Sequence, residues 1–259
     1  MKHVYGWKRQ KPDVRDFKYA LRRPTAGTPF PAAFSTRAKQ PAIWDQGRLG
    51  SCTSLGNKRI AQYALQKIPA QANIQLSALF IYYCERMLEG TVAQDAGANI
   101  RDGIKALAQY GACEENLWPY NVSLFAKAPP GPAFTDALQF EALTYTSLDH
   151  GPVITEEAIK DSLLADFPVV YGQDLYESFE SDAVAQSGLV PMPLPHEQYI
   201  GGHCTVITGW DDNYKGLGAY YEVANSWNTN WGDKGYFWMP KAYIESNRTS
   251  DFWNITSIK

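Results

Sequence analysis

A glycine-containing loop leads into a cysteine in the stretch Trp44-Asp-Gln-Gly-Arg-Leu-Gly-Ser-Cys52-Thr-Ser-Leu-Gly56. Apolar residues recur behind it at helical spacing and predict a helix over residues 51–68: Ala61, Ala64, Leu65 and Ile68. The first turn of a helix offers unpaired N–H groups and a positive dipole end, both of which favour a thiolate. Gln46 is an amide donor in the preceding loop. The stretch therefore suggests a nucleophilic Cys52, and a buried structural cysteine is the alternative.

Helical patterns fill the first half of the chain, and strand patterns fill the second. Two more helices are predicted, one from the N-cap Ser77 to Glu89 and one after Asn99 that ends at Gly111. A loop over 126–132 separates the halves, and Thr155 then caps one short helix. Strand-like runs follow at 168–171, 204–210, 219–224 and 236–239. Segregated helices and strands favour an α+β fold with a helical half over about 40–140 and a β-rich half over about 141–259.

Two later stretches carry residues that would complete a cysteine-based site. His203 opens a predicted strand after two glycines, and Asn225 ends another strand just before Trp227. Taken singly, His203 has an alternative interpretation as a structural histidine in a strand. Asn225 likewise has an alternative interpretation as a turn residue. Nucleophilic catalysis needs a base for the thiol, a group that orients the base, and donors for the oxyanion. His203, Asn225, and the Gln46 side chain with the Cys52 N–H would supply these parts.

These stretches resemble the papain-like cysteine peptidases. The shared motifs stand in the family's order: Gln46-Gly47 with Gly50-Ser51-Cys52, Gly202-His203, Asn225-Ser226-Trp227, Asn230-Trp231-Gly232 and Lys234-Gly235-Tyr236-Phe237. The resemblance covers roughly residues 30–245. It implies a papain-like fold, in which a helical left sub-domain and a β-barrel-like right sub-domain enclose the active cleft. It also implies an endopeptidase with a Cys52-His203-Asn225 triad, a Gln46 oxyanion donor and a thioester acyl-enzyme.

The cysteines depart from the family's usual pattern. Leu49 stands at a usual cysteine position and Thr53 at a usual tryptophan position, so Cys84 lacks its customary partner. The resemblance therefore points to a bacterial-type branch without the usual disulfides. We expect free thiols, although pairing of Cys84 with Cys113 stays an alternative. We expect no zinc site, because the adjacent His203 and Cys204 project to opposite faces of a strand. The mechanism that the resemblance implies requires no metal and no organic cofactor.

The resemblance also implies where a peptide or protein substrate binds. By position, Gly97 and Ala98 correspond to the glycine pair that hydrogen-bonds an extended peptide. Gly202 lies on the other side of the cleft, and Trp227 shields the bond between His203 and Asn225. Small residues here imply a pocket for a bulky apolar side chain. The alternative is that the glycines serve only turns.

Composition excludes several functional classes. The 259 residues are 45% hydrophobic and 20% charged, which is typical of globular proteins. A net charge of −3 gives no electrostatic case for nucleic acid. No apolar run is long enough to enter a membrane, and the first residues lack the apolar region of a signal peptide. We expect a cytoplasmic protein, or one exported by a route without an N-terminal signal peptide.

Residues 1–29 are predicted to form a basic arm ahead of a peptidase domain over 30–259. Residues 1–28 carry eight Lys or Arg against two Asp, which gives +6, while the remainder has 16 bases against 25 acids, which gives −9. Tyr5, Trp7, Phe17 and Tyr19 are too many aromatics for a solvated tail, so we expect docking on the body. We place the arm in or beside the cleft, as a short pro-segment that restrains activity. Packing elsewhere for stability is the alternative.

Two other classes of function use the same residues. An acyltransferase or transglutaminase-type enzyme would use the same triad, but an amine instead of water would attack the thioester. A binding module derived from a peptidase would keep the cleft without catalysis.

Overall fold

The computed structural model describes residues 3–22, 29–151 and 153–259. Within these ranges the α-helices are α1 Cys52–Leu65, α2 Ala78–Glu89, α3 Ile100–Tyr110, α4 Gly131–Ala137, α5 Glu156–Leu164, α6 Asp182–Ser187 and α7 Lys241–Ile244. The strands are β1 Ala33–Ser35, β2 Ala142–Ser147, β3 Val169–Tyr176, β4 Tyr199–Asp211, β5 Tyr220–Ala224, β6 Tyr236–Pro240 and β7 Thr249–Ile258. None of the described helices is long and apolar enough to span a membrane.

The strands form one antiparallel sheet with the order β2-β7-β3-β4-β5-β6, and β1 pairs with β4 outside this path. The long central strand β4 pairs His203 with Gln173 and Cys204 with Gly172 of β3. Side chains alternate along a strand, so Cys204 enters the core cluster with Ile60 of α1. His203 consequently lies on the opposite face, which is where the cleft forms.

Helix α1 packs against the sheet and is buried along its whole length. Gly56 makes this close approach feasible, because a Cβ there would lie 2.7 Å from Sγ of Cys204 and 2.9 Å from Cγ2 of Val170. Protein interiors are close-packed, so any larger side chain at this position would push α1 away from β3 and β4. The distance between Cys52, at the start of α1, and His203 on β4 thus depends on Gly56.

The predicted α+β, papain-like fold is confirmed. The residues predicted to cap or end α2 and α3 do so in the structure. The Ser77 side chain accepts a hydrogen bond from the Phe80 N–H, and Gly90 ends α2 in the left-handed conformation. Asn99 caps α3 through the N–H of Asp102. Helix α1 ends at Leu65, three residues earlier than predicted.

Other elements were missed. Helix α4 begins at Gly131, inside the loop expected over 126–132, and β2, β7, β1 and α6 were not predicted. Strand β3 continues to Tyr176, past the predicted end at Tyr171, and includes Gly172, Gln173 and Asp174. These polar or small residues join the sheet because their neighbours in β4 and β7 satisfy the backbone.

All four cysteines are buried free thiols. Cys84 and Cys113 lie in the same small core cluster without forming the disulfide that the sequence left open. The free thiols agree with the bacterial-type branch.

Candidate active site

Cys52 is the first residue of α1 and is completely buried. Burial raises the pKa of its thiol to about 11, and hydrogen bonds from the backbone of Cys204 and Gly6 oppose this rise only in part. The helix N-terminus was expected to favour a thiolate. Its effect is outweighed here because the thiol has lost contact with water.

His203 is held by Asn225. The distance from Nε2 of His203 to Oδ1 of Asn225 is 2.8 Å. The same oxygen accepts a 2.8 Å hydrogen bond from the Ser226 N–H, so Nε2 carries the proton and donates. The other ring nitrogen, Nδ1, is buried and has no hydrogen-bond partner among the described residues. It is therefore the nitrogen free to exchange a proton.

His203 is neutral in this environment. Burial lowers the pKa of its imidazole to about 4, against the opposing effect of the Asn225 hydrogen bond. The ring stacks on Trp227, with centroids 4.9 Å apart, and the tryptophan is itself buried. Trp227 thus covers one face of the His203 ring.

Gln46 connects the loop before α1 to the segment after β5. Its Oε1 accepts a 2.7 Å hydrogen bond from Oγ of Ser226, and its backbone N–H donates to the Ser226 carbonyl at 2.9 Å. Its Nε2 donates to the Leu49 carbonyl at 3.0 Å and to the Val4 carbonyl at 2.9 Å. The expected oxyanion donor therefore holds a main-chain oxygen of the arm.

The arm runs through the cleft along the residues expected to bind substrate. The Ala98 N–H donates to the Gly6 carbonyl at 2.9 Å, and the Lys8 N–H donates to the Ala98 carbonyl at 3.0 Å. On the opposite side, the Trp7 N–H donates to the Gly202 carbonyl at 3.1 Å. A Cβ at Gly97 would lie 1.9 Å from the Gly6 carbonyl oxygen, so the backbones meet without room for a side chain.

Side chains of the arm fill the rest of the cleft. The Trp7 indole is buried against Gly172 and Gly202, and its Nε1 donates to Oδ2 of Asp251 at 2.9 Å. The His3 ring stacks on Trp227 at a centroid distance of 3.7 Å. An indole therefore fits the side-chain pocket that the small residues predicted.

Several residues that hold the arm were missed in the sequence. Glu180 binds His3 and the Tyr5 hydroxyl, Glu89 pairs with Lys8 at 3.1 Å, and Asp174 pairs with Arg9 at 3.3 Å. The opposite net charges of arm and body were the only sequence signal for these pairs, and they do not say which acids take part. Phe17 was expected to dock, and its carbonyl accepts a hydrogen bond from the Ser147 N–H at 2.8 Å. The residue is nevertheless 65% exposed, and its ring meets Tyr145 edge-on.

The chain belongs to the papain family of cysteine proteases, whose family model matches residues 30–252. A peptidase C1-like protein of Acanthamoeba polyphaga mimivirus is 40% identical over 83% of this chain and 69% of its own. Cathepsin B of Dictyostelium discoideum is 26% identical over 82% of this chain and 70% of its own.

Among solved structures, xylellain, a cysteine protease from Xylella fastidiosa, is 30% identical with a TM-score of 0.88. The match covers 98% of this chain and 96% of xylellain. The procathepsin B of Trypanosoma congolense shares the fold at 18% identity, with a TM-score of 0.77 over 99% and 87% of the two chains. The protein is thus a papain-like cysteine protease of the bacterial type, and its substrates are peptides or proteins.

Proposed function

We propose that this protein is a cysteine endopeptidase that works through Cys52, His203 and Asn225, and that residues 3–10 of its own arm restrain it. The observation that carries this proposal is the position of the arm backbone. Val4 presents its carbonyl to Nε2 of Gln46, and Gly6 lies between the Cys52 thiol and the Ala98 N–H. The arm thus takes the hydrogen bonds that an extended substrate would need.

The protonation states explain the restraint. A thiolate is the nucleophilic form of cysteine, but with the arm docked the pKa of Cys52 is raised to about 11 and that of His203 is lowered to about 4. Both shifts arise mainly from burial, and both stabilise the uncharged forms. When the arm leaves, water and polar substrate groups reach the pair, and the proton moves from Sγ of Cys52 to Nδ1 of His203.

The proposed catalytic steps start from this thiolate–imidazolium pair. The Cys52 thiolate attacks the peptide carbonyl carbon, and the resulting oxyanion accepts hydrogen bonds from Nε2 of Gln46 and the Cys52 N–H. His203 gives the proton on Nδ1 to the leaving amine, because Nε2 stays bonded to Asn225. Water, deprotonated by Nδ1, attacks the thioester and releases the acid. Loss of one oxyanion donor typically lowers the rate 10²–10³-fold.

The test compares the full chain with a variant whose arm cannot dock. A Cβ at Gly6 would lie 1.7 Å from the Gly50 carbonyl oxygen, so Gly6→Ala expels the arm without removing any core side chain. Val14→Ala is the matched control, because Val14 belongs to the arm and is fully exposed. We expect Gly6→Ala to hydrolyse fluorogenic peptides at least tenfold faster than the wild-type protein. Val14→Ala should hydrolyse them at the wild-type rate.

Labelling separates the two parts of the proposal. An epoxide inhibitor of thiol proteases should label Cys52 rapidly in Gly6→Ala and not at all in Cys52→Ala. A folded Gly6→Ala protein that is labelled and active, but no faster than the full chain, would refute the restraint. No hydrolysis and no labelling in any variant would refute the endopeptidase. Product masses with an added amine distinguish hydrolysis from acyl transfer.

A further inference from the structure

A cavity of about 220 Å³ lies on the helical half of the molecule. Its walls come from the loop before α1, from α1 itself, from the start of α2 and from the segment that follows α3. No described residue of the arm lines it, and neither do Cys52, His203 and Asn225. The cavity is therefore separate from the cleft.

Lys58 of α1 brings a buried ammonium group to this cavity. Its side chain is 3% exposed, and its Nζ lies 3.9 Å from the centroid of the Trp44 ring. The distance from Nζ to Oε2 of Glu115 is 3.7 Å, which is too long for a hydrogen bond. Among the described residues, the ammonium has no hydrogen-bond partner. Its N–H groups are therefore open to an acceptor within the cavity.

Glu115 leaves an acceptor open beside this ammonium. Its Oε1 accepts a 2.6 Å hydrogen bond from the Tyr120 N–H. Its Oε2 is buried and has no hydrogen-bond partner in the part of the chain that the structure describes. A buried polar atom without a partner costs free energy. A cationic donor and an anionic acceptor are thus both unsatisfied, side by side on the same wall.

The remaining walls offer apolar contact. Leu55 and Ala78 line the cavity, and both are buried. Asp45 also lines it, but its two carboxylate oxygens already accept hydrogen bonds from the Gly47 N–H at 2.8 Å and from Nδ2 of Asn228 at 3.1 Å. The open polar groups of the cavity are therefore concentrated at Lys58 and Glu115.

The charges of these two residues select the chemistry of an occupant. A simple anion would be repelled by Glu115, and a simple cation would be repelled by Lys58. In an α-amino acid, one carbon carries both an ammonium and a carboxylate. The carboxylate can accept from Lys58 while the ammonium donates to Glu115, so that each charge faces an opposite one. Charge-assisted hydrogen bonds of this kind are strong.

Burial of the lysine supports this choice. It lowers the pKa of the Lys58 ammonium to about 8, against the opposing charge of Glu115. The group is still mostly protonated at pH 7, so a charge remains in the cavity with incomplete compensation. A ligand carboxylate would supply the missing compensation.

Tyr120 separates the cavity from the catalytic residues. Its hydroxyl donates to the Gln46 carbonyl at 3.0 Å and is hydrogen-bonded to Oγ of Ser51, the residue before Cys52. An occupant would thus contact a side chain that supports the loop of the oxyanion donor without entering the cleft.

We propose that this cavity binds a zwitterionic α-amino acid with an apolar side chain, whose carboxylate is held by Lys58 and whose ammonium is held by Glu115. The side chain of the ligand packs on Leu55 and Ala78. The proposal goes beyond the proposed function and does not depend on it, because the cavity shares no lining residue with the triad or the described arm.

The experiment measures the binding of leucine to the wild-type protein at pH 7 by isothermal titration calorimetry. We expect a Kd of about 1 mM or tighter. N-acetylleucine lacks the ammonium and leucinamide lacks the carboxylate, so each should bind at least tenfold more weakly than leucine. Gly6→Ala should bind leucine with the wild-type Kd, since the arm does not line the cavity.

Two substitutions remove the charged partners one at a time. Lys58→Met keeps an unbranched side chain without the ammonium, and Glu115→Gln keeps the shape of the side chain without its charge. Each should weaken leucine binding at least tenfold. Lys105→Met is the matched control, because Lys105 is an exposed lysine on another helix, and it should bind leucine as the wild type does. Circular dichroism checks the fold of each variant.

Four results would overturn the proposal. They are no binding of leucine up to about 10 mM, equal binding by the wild type and a folded Lys58→Met, binding by Gly6→Ala alone, and binding of either analogue as tightly as leucine. The comparison of ligands uses the wild-type protein, so it decides the matter even if a variant does not fold. Epoxide labelling of Cys52 tests the endopeptidase separately from all four.

Discussion

The indole nitrogen of Trp7 and the main-chain N–H of Gln10 donate to the same carboxylate oxygen of Asp251, at 2.9 and 3.0 Å. Asp251 is 3% exposed, and burial raises the pKa of its carboxyl to about 6 although both hydrogen bonds from the arm oppose the rise. A single buried oxygen near the end of the chain therefore fixes the arm at two points, three residues apart.

Replacement of Trp7 by phenylalanine tests this contact. Trp7→Phe keeps an aromatic ring in the pocket and removes the donor to Asp251. A hydrogen bond to a charged group contributes about 1.5–3 kcal/mol, which is about 10–150-fold in the docking equilibrium. We therefore expect peptide hydrolysis to rise at least tenfold, to a level no higher than that of Gly6→Ala. Steady-state hydrolysis of one fluorogenic peptide measures the effect. Equal rates for Trp7→Phe and the full chain would show that the indole hydrogen bond does not hold the arm.

Loss of His203 should lower the rate of peptide hydrolysis more than loss of Asn225. In the Gly6→Ala background, we expect His203→Ala to lower kcat/KM by more than 10³-fold, since it removes the group that transfers protons. Asn225→Ala should cost about 10–100-fold, because it removes only the acceptor that orients Nε2. Circular dichroism checks the fold of each variant. Equal, complete loss in both would contradict the orienting role of Asn225.

The reactivity of Cys52 should depend on pH and on the arm. Because burial raises the thiol pKa to about 11, the thiolate fraction in the full chain increases about tenfold per pH unit between pH 7 and 10. The rate of alkylation by iodoacetamide should follow that slope. In Gly6→Ala, the rate should already be high at pH 7 and nearly flat above it. Superimposable profiles would mean that the arm does not desolvate the thiol.

Asp149 should make stability depend on pH. Burial raises the pKa of its carboxyl to about 7, with a further rise from the charge of Asp251. The folded-state pKa lies above the unfolded value of about 4, so the favourable contribution of the neutral form is lost as pH rises through about 7. Asp149→Asn avoids this loss. Relative to the wild type, its free energy of unfolding should increase by about 1–3 kcal/mol from pH 5 to pH 8. Urea titrations at both pH values would measure it, and a pH-independent difference would argue against a buried, titrating Asp149.

Tyr19 should matter for stability and not for restraint. Tyr19→Ala removes a buried ring and a donor to Asp161, so we expect about 3–5 kcal/mol of destabilisation. Tyr19→Phe keeps the ring and should cost about 1–2 kcal/mol. Thermal melts measure both effects. If Tyr19→Phe released peptidase activity as Gly6→Ala does, the assignment of the restraint to residues 3–10 would be wrong.

Local sequence determined those features whose cause lies within a few residues. Ser77 and Asn99 cap helices because a short polar side chain satisfies an N–H of the first turn, and Gly90 ends α2 because it adopts the left-handed conformation at no steric cost. The α+β class followed from the change from helical spacing of apolar residues in the first half of the chain to strand-like runs in the second. The motifs around Cys52, His203 and Asn225 were sufficient to predict the family, which the comparisons confirm.

Only the tertiary structure decided which distant groups meet and how far they are removed from water. The opposite net charges of arm and body predicted docking through basic residues of the arm. In the strong pair between Asp16 and Arg101, however, the acid belongs to the arm and the base to the body. A helix start at Cys52 predicted a thiolate, yet burial beneath the arm holds the thiol neutral. Both outcomes depend on burial and on contacts across more than forty residues of chain, because desolvation and hydrogen bonding act through space. Periodicity and capping act along the chain, and for that reason the sequence alone determined α1, α2, α3, α5 and the family's motifs but not the state of the site.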